Sequence, residues 1–212
     1  MFRTSLAIAA AALVASAVPS LAAPVFATSV TAHGGSGGSC TIGDAGFVVN
    51  STRTNLCNAL GAPDHPGNGT DFGFLSTGNF SALEFSFGTQ FTAPITLFEV
   101  SFTTGNLETL ELSFMLTGAG GGVIGSSYLV NNNSGTRSGQ TWVVEFNFPA
   151  GTPTNERGPF DTLWIVDRST GGDGFDIDAI SATGVSAVPL PAAGLLLVAG
   201  LGGLALMRRR AS

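Results

Sequence analysis

Residues 82–87 read Ala82-Leu83-Glu84-Phe85-Ser86-Phe87, and residues 142–148 read Trp142-Val143-Val144-Glu145-Phe146-Asn147-Phe148. In both, large apolar side chains alternate with other residues at a period of two, which places one set on one side of an extended chain. Leu110, Leu112, Phe114 and Leu116 repeat the pattern around Glu111, Ser113 and Met115, and Phe98, Val100 and Phe102 repeat it around Glu99 and Ser101. Each apolar set is expected to face one core, with the interleaved glutamates on the opposite side. Further strands are expected over 46–50, 71–75, 122–130, 160–167 and 175–182, separated by turn sequences such as Asn131-Asn132-Asn133-Ser134-Gly135. No window of about a dozen residues in the body of the chain has helical periodicity. Such a count of strands without helices predicts an all-β fold, an antiparallel β-sandwich of jelly-roll-like form.

Composition narrows the chemistry. Charged residues are 10% of the 212, against about 25% in ordinary globular chains. Lysine is absent, which excludes a Walker A loop, a Schiff-base lysine and a lysine general base. Residues 23–187 keep only Arg53, Arg137, Arg157 and Arg168 against all 14 acidic side chains, so no basic surface exists to neutralise phosphates. Nucleic acid is not an expected partner.

The two ends read as addresses. Arg3 precedes an apolar run from Leu6 to Val18, and Pro19-Ser20-Leu21-Ala22 follows with the small residues of a signal-peptidase site. Residues 1–22 are therefore expected to be a signal peptide, cut after Ala22. Residues 23–39 are small, polar and glycine-rich, and are expected to form a flexible lead that carries His33 as a solvated residue. The sandwich is expected over 40–184. Near the other end, Ala192 to Met207 is continuously apolar and is followed by Arg208, Arg209 and Arg210. That run makes about 24 Å of helix against a hydrocarbon core of about 30 Å. Leu190 and the arginine stems can close the difference by snorkelling, and the arginines hold the tail in the cytoplasm.

Val188, Pro189, Leu190, Pro191 and Ala192, followed by a glycine-rich apolar stretch and a terminal arginine cluster, resemble the VPLPA variant of the PEP-CTERM sorting signals. Leu190 stands where the commoner form has glutamate. The resemblance implies export in a Gram-negative cell and a transient inner-membrane anchor. It also implies processing by signal peptidase and then by a membrane-embedded exosortase, which leaves the domain at the cell surface or outside. Residues 185–212 would form that sorting segment, in which the two prolines keep the backbone extended and open to a protease.

Export makes a disulfide between Cys40 and Cys57, the two cysteines, the expected pairing. Gly171-Gly172-Asp173-Gly174-Phe175-Asp176-Ile177-Asp178 offers three carboxylates beside a glycine turn, a set of hard oxygen ligands that suits Ca²⁺. The alternative is that these aspartates are the solvated face of a strand. The stretch from Gly174 to Ile180 also resembles the closing strand of sandwich domains that carry such tails, which implies a lectin-like or calcium-binding role. Trp142, Trp164 and Tyr128 would make a sugar-stacking platform only if they shared a solvent face. His65, between prolines in a turn sequence, is the single histidine outside the lead, and no catalytic triad, zinc or nucleophile-elbow motif accompanies it. The expectation is a non-enzymatic surface or matrix protein that associates with exopolysaccharide and requires no cofactor. The alternative is a secreted polysaccharide hydrolase on the same scaffold.

Overall fold

The computed structural model of the protein describes residues 23–35, 37–49, 52–64, 73–100, 108–116, 122–123, 127–138, 141–170 and 174–185. The signal segment 1–22, the sorting segment from Val188 to Ala192 with Arg208, Arg209 and Arg210, and also Phe102, His65 and Asp173 lie outside them. Among the described residues 12 strands join in one network, and every pairing is antiparallel. The helical elements there are short 3₁₀ turns, and none is long and apolar enough to cross a membrane. The fold is all-β, as the alternation predicts.

In chain order the strands are β1 (Pro24–Phe26), β2 (Ser29–His33), β3 (Gly38–Thr41), β4 (Leu75–Ser76), β5 (Ala82–Val100), β6 (Thr109–Leu116), β7 (Gly122–Val123), β8 (Tyr128–Asn131), β9 (Thr136–Ser138), β10 (Thr141–Phe146), β11 (Phe160–Asp167) and β12 (Asp176–Gly184). The 19-residue β5 organises the rest. Its first half lies between β2 and β11, with Thr31 and Trp164 both opposite Glu84. Its second half lies between β12 and β10, with Ile177 and Trp142 both opposite Glu99. The neighbours change over Gly88, Thr89 and Gln90, which are exposed. β11 continues outward to β6 and then to β7 and β8, while β12 continues to β1 and β4. One strand thus serves two sheet regions.

Pro94 sits where the register between β5 and β12 shifts, between the pairs Ile95 with Ala182 and Thr92 with Thr183. A residue without an N–H fits an irregularity and would break a regular ladder. The phase of β5 survives this irregularity: Leu83, Phe85, Phe87, Phe91, Ile95, Leu97 and Glu99 are all buried. The expectation that Phe98 faces the core and Glu99 faces water is therefore corrected. Phe98 is half-buried and meets Phe26, with ring centroids 6.3 Å apart, while Glu99 is fully buried. The alternation breaks over Gly88–Gln90 and Ala93, and the odd positions are buried again from Ile95 to Glu99; Val100 is fully buried as well, as its place in the expected core set requires.

The two regions meet through aromatic side chains. Phe114 of β6 lies 5.5 Å from Phe146 of β10, 5.0 Å from Phe148 and 4.9 Å from Phe160 of β11, centroid to centroid. β6 pairs with β7, β8 and β11, and β10 pairs with β5 and β9, so the contact of Phe114 with Phe146 is made by side chains.

The lead and two of the expected strands are also corrected. Residues 23–39 are not a loose lead, because Val30 and Ala32 bury their side chains and β2 pairs with both β3 and β5. The glycines there build the turn between β2 and β3: Gly34, Gly35 and Gly37 all have positive φ, and a Cβ on Gly34 would strike the Ser81 side chain. Residues 46–49 form no strand, since Phe47 N–H closes a turn onto the Asp44 carbonyl. Of 71–75, the described part is strand only at Leu75. Residues 82–87 and 98–100 belong to one strand.

Cys40 of β3 is bonded to Cys57 in the buried 3₁₀ turn Leu56–Ala59, with Cα atoms 5.4 Å apart, which ties the edge of the sheet to the 52–64 segment. Two outcomes are expected in denaturant unfolding. Phe114→Ala should cost about 3–5 kcal/mol, because it empties the junction between the two regions. The Cys40→Ser, Cys57→Ser variant should lose about 3 kcal/mol by the loop-entropy relation.

Candidate functional site

A group of buried polar side chains gathers where β5 ends and β12 begins. Glu99 is 0% exposed, Asn132 2%, Asp176 5% and Glu108 8%. Asn132 holds the group together. Its side-chain amide donates to Glu99 Oε1 at 3.3 Å, its Oδ1 accepts from Glu108 N–H at 3.4 Å, and its own N–H donates to the Glu108 carbonyl at 3.2 Å. The Oε2 atoms of Glu99 and Glu108 are both buried without a hydrogen-bond partner. Burial, reinforced by the charge of Asp176, pushes the Glu99 carboxyl above its ordinary value, although the neighbouring Glu108 and Asn132 side chains pull the other way.

Neighbouring carboxylates serve the frame. Asp167, at the end of β11, accepts from Ser169 N–H at 2.7 Å with Oδ1. Its Oδ2 accepts from Phe175 N–H at 3.1 Å and from the Thr77 hydroxyl, which also lies 2.8 Å from the Phe175 carbonyl. One carboxylate thus fastens β11, the Thr77–Asn79 turn and the start of β12 to one another. Gly174 has φ +87°, and the place of a Cβ is filled by the Gly78 backbone and the Asp167 carboxylate.

The expected calcium ligands have different surroundings. Asp176 lies close enough to Glu99 to raise it. Asp178 accepts from Asp64 N–H at 3.4 Å, and it sits where the register shifts between Ile177 and Ala179, so the simple two-residue spacing no longer sets a common face. Neither is the solvated strand residue of the alternative reading. Among the described residues no three acidic, histidine or cysteine side chains form a group that could hold a metal ion.

The three candidate stacking aromatics do not share a surface. Tyr128 packs into the core, 5.1 Å from Phe146 and 6.2 Å from Phe114. Trp142 stands opposite Glu99, with the Arg137 guanidinium 5.6 Å from its ring centroid. Trp164 is on the other side of β11 from the buried Leu163 and Ile165, and His33 stacks on it at 4.4 Å while its Nε2 lies 2.9 Å from Glu84 Oε2. His33 is therefore a fixed member of the sheet surface and not a solvated spacer. Sequence reasoning missed Glu99, Glu108 and Asn132. The signal available was phase: counting from Leu83 in steps of two arrives at Glu99.

In this arrangement Glu99 is fully buried, and its hydrogen bond to Asn132 ties the end of β5 to the Asn132–Ser134 turn. No protein-family model matches the chain, and no curated protein matches it in sequence.

Gly174→Ala is expected to destabilise the protein by about 1–3 kcal/mol from the backbone conformation alone, before the clash with Gly78 is counted. Thermal unfolding beside Gly43→Ala checks it. Gly43 also has positive φ but has nothing within 4 Å of its Cβ position, so the excess loss at Gly174 measures the crowding.

Proposed function

We propose that the protein is an exported, non-enzymatic surface or matrix component. In this reading a jelly-roll-like β-sandwich is carried out by a signal peptide, held briefly at the inner membrane by the 185–212 segment and processed at the Val188–Ala192 motif by an exosortase. Its partner outside is exopolysaccharide. The observation that carries the reading is the position of the folded unit between the two address segments. β1 starts at Pro24, just past the expected cut after Ala22, and β12 ends at Gly184, just short of Val188. Pro24 pairs with Thr183, so the described chain begins and ends on adjacent strands, and cuts after Ala22 and at the motif would take none of the described strands. The Cys40–Cys57 bond adds support, because such bonds persist in oxidising compartments.

The reading also gives the domain an orientation. From Ile177, beside Glu99, to Gly184, beside the entry of the chain, β12 runs about 23 Å at roughly 3.3 Å per residue. Anchoring at the paired termini turns the carboxylate end away from the membrane.

Expression of the full chain in a Gram-negative host with an exosortase tests the reading by intact mass. The mature protein should begin near Ala23, lack free thiols and lack the C-terminal 20 or so residues, in line with the address pattern. The Pro189→Ala, Pro191→Ala variant should stay uncut and membrane-bound; processing like the wild type removes the motif from the proposal. Exopolysaccharide should be retained by the protein without release of reducing sugar, and sugar release would instead favour the hydrolase.

A further inference from the structure

We infer that the outer face of the sheet around Trp164 binds an uncharged glycan, packing the C–H face of a sugar ring against the Trp164–His33 pair and meeting its hydroxyls with the polar row beside that pair. This rests on the reading of an exopolysaccharide partner and assigns the contact to residues.

The strand register builds the surface. Ser39 of β3 stands opposite Thr31 of β2, Thr31 opposite Glu84 of β5, Glu84 opposite Trp164 of β11, and Trp164 opposite Ser113 of β6. Residues directly opposite one another share a face. The adjacent row, Val30, Phe85, Leu163 and Phe114, is buried, so the row of Trp164 faces outward. It crosses five strands, about 19 Å at the usual spacing. Ser39 and Thr31 are exposed at one end, and at the other the Ser113 hydroxyl lies 3.0 Å from that of Ser127, also exposed.

Trp164 sits in this row with its polar edge turned inward. Its Nε1 is buried without a hydrogen-bond partner, although the residue as a whole is only half-buried. A tryptophan on a sheet surface can give its N–H to water, and leaving that donor unsatisfied costs stability. What the ring shows to solvent is therefore hydrocarbon. His33 stacks on it at 4.4 Å and keeps 41% of its own side chain exposed, while its Nε2 lies 2.9 Å from Glu84 Oε2. The two rings make one aromatic block, held from β2, β5 and β11 and surrounded by hydroxyls.

That juxtaposition matches a sugar ring, which has a face of C–H groups and a rim of hydroxyls. The negative face of an aromatic ring attracts the C–H groups, and serine and threonine hydroxyls both donate and accept at the rim. The charges on the face select an uncharged chain. Glu84 is bonded to His33, and Glu111 is bonded to Arg168 at 2.7 Å, so both carboxylates have partners within the surface. Neither a polyanion nor a polycation meets an unopposed charge there. Because the rings are already fixed by their neighbours, little order is lost on binding.

The test is retention of the full-length protein on an immobilised glucan, galactan and mannan, with a polyuronate beside them. Wild type should be held by at least one of the neutral polymers, and salt that screens exposed charges should change this by less than about twofold. Trp164→Ala should weaken retention by about tenfold, the scale of one good aromatic contact. Thr31→Arg, at an exposed position of the same row, should obstruct the surface without touching the core, and it decides the matter should Trp164→Ala fail to fold. Glu145→Ala, exposed on β10, should bind as wild type does. Equal retention of wild type, Trp164→Ala and Thr31→Arg overturns this surface and leaves the exopolysaccharide reading standing. Retention on the polyuronate alone, abolished by salt, overturns the uncharged ligand. No retention on any of the polymers overturns the surface and the exopolysaccharide partner together, while export and processing are still read by mass.

Discussion

The continuity of β5 is the constraint on which the rest of the structure depends. A strand of 19 residues has hydrogen-bonding edges long enough for two sets of neighbours, and this one uses β2 and β11 first, then β12 and β10. Leu83, Phe85 and Phe87 in its first half and Ile95, Leu97 and Val100 in its second are all buried, so both halves contribute to the same core cluster or border it. Phe85, Phe91, Leu97 and their neighbours then supply one core instead of two half-cores too small to hold. The irregularity at Pro94 and the exposed stretch Gly88–Gln90 let the neighbours exchange while the phase is kept. Short strands that are marginal alone, such as β1, β3 and β4, gain stability by pairing with an element already ordered.

The same continuity has a cost at its far end. Keeping phase drives Glu99 inward, where a charged carboxylate is unfavourable. The chain answers with polar company: Asn132, Glu108 and Asp176 gather there, and Asp167 fastens the neighbouring turn with three hydrogen bonds. Polar interiors of this kind rigidify when their bonds are complete and are costly when they are not. The protein thus has paired terminal strands at one end and a group of buried, hydrogen-bonded polar side chains at the other. A domain tethered by its termini would show the second end to its surroundings.

The surface between those ends is built from cross-strand pairs. The stack of His33 on Trp164 beside Glu84 spans β2, β5 and β11, and Arg168 binds Glu111 at 2.7 Å across β11 and β6. A hydrogen bond from Ser127, together with the Arg168 guanidinium, holds the Glu111 carboxyl below its ordinary value. Such pairs contribute modestly to stability one by one, and they pin register across the sheet.

Much of this was legible in the residues themselves. Alternation at 82–87, 110–116 and 142–148 reports burial on one face, and that physical requirement acts locally, so it determines strand character and the all-β class before any contact is known. The pairing of Cys40 with Cys57 needed only two cysteines. Other features are set by partners distant in the chain. Residues 23–39 have the composition of a loose lead, and only β5, β3 and β12 make strands of them. Asp176 and Asp178 read as ligands or as a wet face, and only the tertiary structure decides against the wet face, by burying both. Glu99 shows the division most clearly. Its neighbours Phe98 and Val100 argue locally for the opposite side; Val100 is indeed buried, and Glu99 is buried beside it because tertiary folding brings Asn132 and Asp176 to meet it.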